Sequence, residues 1–223
     1  MEALYHELNK PGEMHGGSSV GSISGAAKHG GSTLDFLQRT ALDAQISADK
    51  ISAIAGKYQP SADYPRSPLG QSLSLVSRLI AGGLPTRVYY VSQGGYDTHT
   101  QQPGAHDRLL GELGDSLAAF CKDLKAQGNF GRVVIMTFSE FGRRVAQNGS
   151  NGTDHGAAAP MFIFGGTAKA GLYGKYPSLT QLDRGDLAFN VDFRSVYATV
   201  LEKWLGAPAD KVLGKAFPLL PVV

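Results

Sequence analysis

Two short runs, Val133-Val134-Ile135-Met136 and Met161-Phe162-Ile163-Phe164, are apolar without alternation. A strand with one wet face alternates apolar and polar side chains. An uninterrupted apolar run instead signals a strand covered on both faces, the habit of a parallel sheet lying between helices. In open sheets of that kind, ligands gather beyond the carboxyl ends of the strands. The same pattern therefore constrains the architecture and names the loops in which chemistry belongs.

A third β-rich run, Arg87-Val88-Tyr89-Tyr90-Val91, precedes the other two, and helical periodicity fills the intervals. Leu34, Leu37, Ala41, Ile46 and Ile51 space an amphipathic helix over 34–54, with Ser32 or Thr33 as its cap. Leu73, Val76, Leu79 and Ile80 predict a helix over 71–81 ended by Gly82-Gly83. Leu109, Leu110, Leu113, Leu117, Phe120, Cys121 and Leu124 predict another over 107–127, closed by Gly128. Phe193, Val196, Tyr197, Val200, Leu201 and Trp204 mark a last helix over 192–205, stopped by Gly206 and Pro208. Strands alternating with helices imply a helix-covered, mainly parallel α/β sheet, because parallel neighbours need crossover connections. Residues 1–32, rich in Gly, Ser and His, read as a loop; 33–208 form the α/β domain, and 209–223 a C-terminal tail.

The chain has 223 residues, enough for one sizeable core. A formal net charge of +2 gives no electrostatic case for nucleic acid or an anionic membrane surface. No apolar stretch reaches the roughly 18 to 20 residues of a membrane span, and the first thirty residues lack the apolar core of a secretory signal. The lone Cys121 lies in a helical apolar pattern and reads as a small buried hydrophobe. The glycine-rich run Gly16-Gly17-Ser18-Ser19 lacks the lysine of a phosphate-binding loop, and His6, His15 and His29 beside it read as solvated.

Three segments hold the candidate ligands. In Gly95-Tyr96-Asp97-Thr98-His99, the spacing of Asp97 and His99 lets a carboxylate and an imidazole meet one cation, and His106 at the start of the next helix can point back. Such a mixed set suits Zn, Mn or Fe better than Ca or Mg, which prefer all-oxygen shells. The rival reading is a turn beside a solvated histidine. In Ser139-Glu140-Phe141-Gly142-Arg143-Arg144, Glu140 needs either a metal or an arginine as partner where the strand ends. One of the two arginines, Arg143 first, is the candidate clamp for an anionic ester. In Thr153-Asp154-His155-Gly156, His155 is the candidate ligand, and Asp154 either ligates or, as favoured here, orients the histidine.

Taken in order, Gly94-Gly95-Tyr96-Asp97-Thr98-His99 with Gln102 and His106, Phe138-Ser139-Glu140-Phe141-Gly142-Arg143, Gly152-Thr153-Asp154-His155-Gly156 and Gly165-Gly166 resemble the DUF1501 family, as does the ending from Phe193 to Gly206. That family is placed in the alkaline-phosphatase/sulfatase-like superfamily. The resemblance implies a three-layer α/β/α fold and two clusters of Asp and His at strand ends that hold metal ions and a phosphate or sulfate ester. By position, Asp97 with His99 or His106 looks like the first cluster, and His155 like the late histidine ligand. Glu140 falls where better-studied members carry an Asp-His pair, but Phe141 follows it here, which leaves the second metal position incomplete.

A larger departure is at the front, where the superfamily's first strand, early metal-binding Asp and nucleophile have no counterpart. The chain thus looks like the later portion of such a protein, and no nucleophile is named. The implied activity is metal-dependent hydrolysis of a small-molecule or glycan ester, with Zn or Mn as cofactor and Arg143 assisting. Export to the periplasm or beyond the cell is implied by the same resemblance. The alternatives are a binding protein that keeps the fold without turnover, and a metal-free hydrolase built on Ser139 and His155, although no Gly-x-Ser-x-Gly elbow surrounds Ser139.

Overall fold

The computed structural model describes residues 33–223. The glycine-rich segment with His6, His15 and His29 lies outside the described residues. Within them the chain is mixed α/β. Helices α1 (Thr33–Ala55), α2 (Pro68–Ala81) and α3 (Gln102–Ala126) come first. Strands β1 (Val134–Met136), β2 (Gly142–Gln147), β3 (Thr153–Gly156) and β4 (Ile163–Gly165) follow. Last come α4 (Phe193–Thr199), continued by a π-helical turn over Val200–Leu205, and α5 (Ala209–Leu213).

The helices form where the periodicity places them, with local chemistry shifting their starts. α2 begins three residues earlier than predicted, because Ser67 caps it by accepting from the Gly70 amide at 3.1 Å and Pro68 supplies a preset first turn. α3 begins at Gln102, so His106 lies in its second turn rather than at its start. Gly206, at φ 67°, takes the left-handed conformation that ends the helix begun at Phe193.

The main core lies between α2 and α3. Leu69, Leu73 and Ile80 pack on Phe120 and Leu124, with Tyr89, Val91, Val133 and Ile135 against them. Removing a side chain as buried as Leu124 costs roughly 2–5 kcal/mol. Among these apolar groups sits a fully buried carboxylate, Asp123. Its Oδ1 accepts from Tyr58 Oη at 2.7 Å and from the Ser61 amide and hydroxyl, both at 2.9 Å. Its Oδ2 accepts from Ser77 Oγ at 2.5 Å and Tyr64 Oη at 3.1 Å. Five donors from two stretches of chain, the segment 58–64 and helix α2, satisfy the group, which is the condition for keeping a charge out of water. A smaller core joins α4 and α5 through Ala198, Leu201, Ala207 and Ala209. There the C-terminal segment is tied back, since the Leu220 amide donates to Thr199 Oγ1 and the Val222 carbonyl accepts from the Lys169 amide.

The strands correct the expected sheet. β1 pairs antiparallel with β4, and β2 pairs antiparallel with β3, in two separate two-stranded ladders. The parallel arrangement predicted from the apolar runs is not found among the described residues. The reason is the connection: a parallel pair needs a crossover, usually helical, whereas β1 and β4 are joined by the β2–β3 hairpin. The run at 87–91 belongs to no ladder, although Tyr89 and Val91 still turn inward. Segments 139–144 and 153–156, expected as loops, lie largely on the two hairpin strands. The apolar face of α1 is another departure. Leu34, Leu37, Ile46 and Ile51 are exposed, and only its end, at Ile54 and Ala55, packs inward beside Leu79.

Candidate metal centre

The candidate ligands meet because the tip of the β2–β3 hairpin is fastened to the start of α3. The first amides of a helix have no partner within it. Here the Gln101 and Gln102 amides donate to the carbonyls of Ser150 and Asn151 at 3.1 and 3.0 Å. Asn148 ties the tip internally, its Oδ1 accepting from the Ser150 and Gly152 amides, and its Nδ2 donates to the His99 carbonyl at 2.9 Å. Gly152 lies so close to the His99 backbone that a Cβ would collide with it. Asn151, at φ 58°, adopts the left-handed conformation that asparagine tolerates better than most residues.

Docked in this way, β3 delivers His155 and Asp154 to the loop carrying Asp97 and His99. Asp97 Oδ1 lies 2.8 Å from His155 Nε2 and 3.0 Å from His99 Nε2. One ligand atom from each of these three residues falls within 4.8 Å of the other two. Donors around a tetrahedral ion with bonds of roughly 2.1 Å sit about 3.4 Å apart, so the two spacings to Asp97 would each widen by roughly half an ångström around a bound cation. Side-chain exposures of 45% for each histidine and 65% for Asp97 leave room for water or substrate on the open side.

Neighbours hold each ligand in place. Asp154 Oδ1 lies 3.1 Å from His99 Nδ1, so the ring presents Nε2 toward Asp97, the carboxylate–imidazole arrangement that orients metal-binding histidines. The sequence reading gave Asp154 this supporting role, but toward His155. Phe141 performs that service for His155 by stacking on its ring at 3.8 Å with planes 6° apart. Arg143 stands opposite His155 in the ladder. It donates to the Thr153 carbonyl at 2.6 Å, to the Tyr96 carbonyl, and to Thr98 Oγ1 at 3.3 Å, while its guanidinium stays 3.9 Å from Asp97. It therefore bridges the hairpin and the ligand loop.

The carboxylates respond to this setting. The hydrogen bond from His155, with the nearby charges of His99 and Arg143, lowers the Asp97 pKa below its ordinary value. The hydrogen bond from His99, then that from Asn148, lowers Asp154 likewise. Both groups are anions at neutral pH, as metal binding requires.

Two sequence candidates stand apart from the trio. His106 Nε2 meets the buried Thr98 hydroxyl at 2.8 Å and fixes the loop from behind. Glu140 is exposed and outside the group of three. Ser139 donates to the Phe141 carbonyl at 2.8 Å. Sequence reasoning missed the parts played by Thr98, Asn148 and Thr153. Their work is long-range hydrogen bonding, which leaves no local signal in the sequence.

The family described as "Protein of unknown function (DUF1501)" matches residues 26–213. The chain belongs to the DUF1501 family. All the candidate ligands fall inside the matched DUF1501 region. No curated protein and no solved structure matches the chain.

Proposed function

We propose that the chain is a metal-dependent hydrolase of phosphate or sulfate esters, with Asp97, His99 and His155 holding one divalent cation, Zn or Mn. The observation that carries this reading is the convergence of one carboxylate and two imidazoles, drawn from segments more than fifty residues apart in sequence, on a single exposed point. The donor set fits Zn, which imidazole suits, or Mn, which carboxylate suits, better than Ca or Mg, which prefer all-oxygen shells. A cation bound there would neutralise charge on the ester oxygens and lower the pKa of water.

The chain's own residues do the rest. Asp97 supplies the negative charge that makes the site cation-selective. Asp154 and Phe141 fix the two imidazole planes, and Arg143 locks the ligand loop to the hairpin while keeping its positive charge near Asp97. The ester class comes from the resemblance to the alkaline-phosphatase/sulfatase-like superfamily, as does the proposal that the protein acts in the periplasm or outside the cell.

The test is elemental analysis of the purified chain beside His99→Ala and His155→Ala, followed by a screen of phosphate and sulfate esters with Zn or Mn. Near-stoichiometric metal lost in both variants, with ester cleavage abolished by a chelator, is the expected result. Unchanged metal content in both variants would overturn the proposal. Metal binding without turnover would favour a second reading, a binding protein that keeps the site but not the reaction, which the exposed position of Glu140 outside the trio supports. The serine-hydrolase alternative loses ground, because His155 Nε2 faces Asp97 and the Ser139 hydroxyl faces the Phe141 carbonyl.

A further inference from the structure

His155 has a second neighbourhood. A pocket of about 300 Å³ shares it as a wall and is otherwise bounded by Arg144 and by the turn that carries Asp183, Arg184, Asp186, Leu187 and Phe189. This turn is built with care. Asp183 and Asp186 exchange backbone hydrogen bonds at 2.9 and 3.0 Å, and the two residues between them, Arg184 at φ 51° and Gly185 at φ 81°, both lie in the left-handed region. That is the two-residue hairpin turn which normally selects Asn or Gly at both centres. Arginine is an uncommon choice there.

The turn is also clamped beside the metal centre. Asp186 Oδ2 accepts from the Ala157 amide, two residues beyond His155, at 3.1 Å, while Oδ1 accepts from the Leu187 amide at 2.7 Å. Both carboxylate oxygens of Asp186 are therefore committed to backbone. Asp183 is engaged by Arg184 at 3.4 Å, a loose and solvated pair. The Arg144 side chain, by contrast, makes no hydrogen bond or salt bridge among the described residues, its charge acting only at longer range on Asp154. Its guanidinium lies against Gly185, where an added Cβ would sit 3.3 Å from Nη2. Leu187 and Phe189 provide apolar surface, the latter 64% exposed.

We infer that this pocket receives the alcohol part of the substrate, and that this part is a single ring bearing a carboxylate, such as an acidic sugar or an aryl acid. The inference rests on the metal-dependent reading above, which places the ester's phosphoryl or sulfuryl group at the trio that includes His155. The volume sets the size, since ligand pockets begin at about 300 Å³ and the smallest hold little more than one ring. Phe189 and Leu187 supply the surface for a ring face. Arg144, with Arg184 also lining the pocket, supplies the forked donors that match a carboxylate.

The probes are 4-phosphonobenzoate and phenylphosphonate, whose carbon–phosphorus bonds resist hydrolysis, titrated into the zinc-loaded full chain by calorimetry. The expected result is roughly tenfold tighter binding of 4-phosphonobenzoate, an advantage of one forked ion pair. Arg144→Ala should erase that advantage while leaving zinc content unchanged, and Phe189→Ala should weaken both probes. Equal affinity for the two probes in zinc-loaded protein overturns the pocket assignment, as does a preference that survives in both Arg144→Ala and Arg184→Ala. Benzoate is titrated in parallel into metal-free protein, so that the two readings can fail separately. Absence of zinc binding would sink the metal centre alone, and benzoate binding lost in Arg144→Ala would still uphold the pocket.

Discussion

Gly152 packs against the backbone of His99 so closely that no larger residue fits, and this contact joins the hairpin to the ligand loop. Gly152→Ala should therefore lift the hairpin tip, break the Asn148 contact with the His99 carbonyl, and move His155 away from Asp97. Displacing a ligand by about 1 Å is enough to ruin a site that depends on convergence. The expected outcome is zinc affinity reduced by tenfold or more, while circular dichroism still reports the helices, whose core lies elsewhere. Undiminished zinc affinity in Gly152→Ala would show that the hairpin does not position His155.

Asp154 and Asp97 touch the same imidazole from opposite sides, and their substitution should separate orienting from ligating. Asp97→Ala removes a donor and should abolish stoichiometric metal. Asp154→Ala leaves all three donors and frees the His99 ring to rotate, for which the loss is about tenfold to a hundredfold in affinity. Competition against a colorimetric zinc indicator measures both. Equal losses in the two variants would make Asp154 a ligand in its own right.

Arg143 tests how far its role is one of fixing the ligand loop. Arg143→Lys keeps the charge but cannot span the Tyr96 and Thr153 carbonyls with a rigid fork. Thermal unfolding should show a loss of about 1.5–3 kcal/mol, the contribution of one hydrogen bond from a charged donor, and metal affinity should fall with it. Stability and affinity both unchanged in Arg143→Lys would show that charge near Asp97 is what matters, returning Arg143 to the role of an electrostatic catalyst.

The helices were legible because their signals are local. Spacing of Leu73, Val76, Leu79 and Ile80 or of Leu109 through Leu124 depends only on neighbours within a few turns. The strand pairing was not. Val133 to Met136 and Met161 to Phe164 advertise burial but not direction, and direction is set by the connection, here a hairpin whose Arg143 and His155 stand opposite one another. Asp97, His99 and His155 could be named as candidate ligands because their residue types are rare at strand ends and recur in a familiar order. Their supports, such as Thr98 holding His106 and Phe141 stacking on His155, rest on contacts that no spacing rule encodes. Asp123 is the clearest case, an acidic residue lying among the core positions of an amphipathic helix, invisible to periodicity because its five donors come from elsewhere.

Asp123 also gives the protein an acid-sensitive lock. Burial alone would raise its pKa, but the hydrogen bonds from Ser77, the Ser61 amide and Tyr58 outweigh burial and hold the pKa below the ordinary value of 3.8. The unfolded chain therefore binds the proton more readily than the folded one. The stabilisation is fully present above the unfolded value and drains away as pH falls through the folded one. Urea unfolding should show stability level near neutrality and declining below about pH 5, as the unfolded carboxylate begins to take up its proton. Asp123→Ala should cost about 3–5 kcal/mol at pH 7, because the hydroxyls of Tyr58, Ser61 and the fully buried Ser77 lose their acceptor together. Asp123→Asn keeps an acceptor but no charge, so its penalty relative to the parent should shrink as the pH falls from 6 to 3, roughly one unit below the ordinary carboxylate pKa. A penalty that stays constant over that range would mean that Asp123 is not the titrating group.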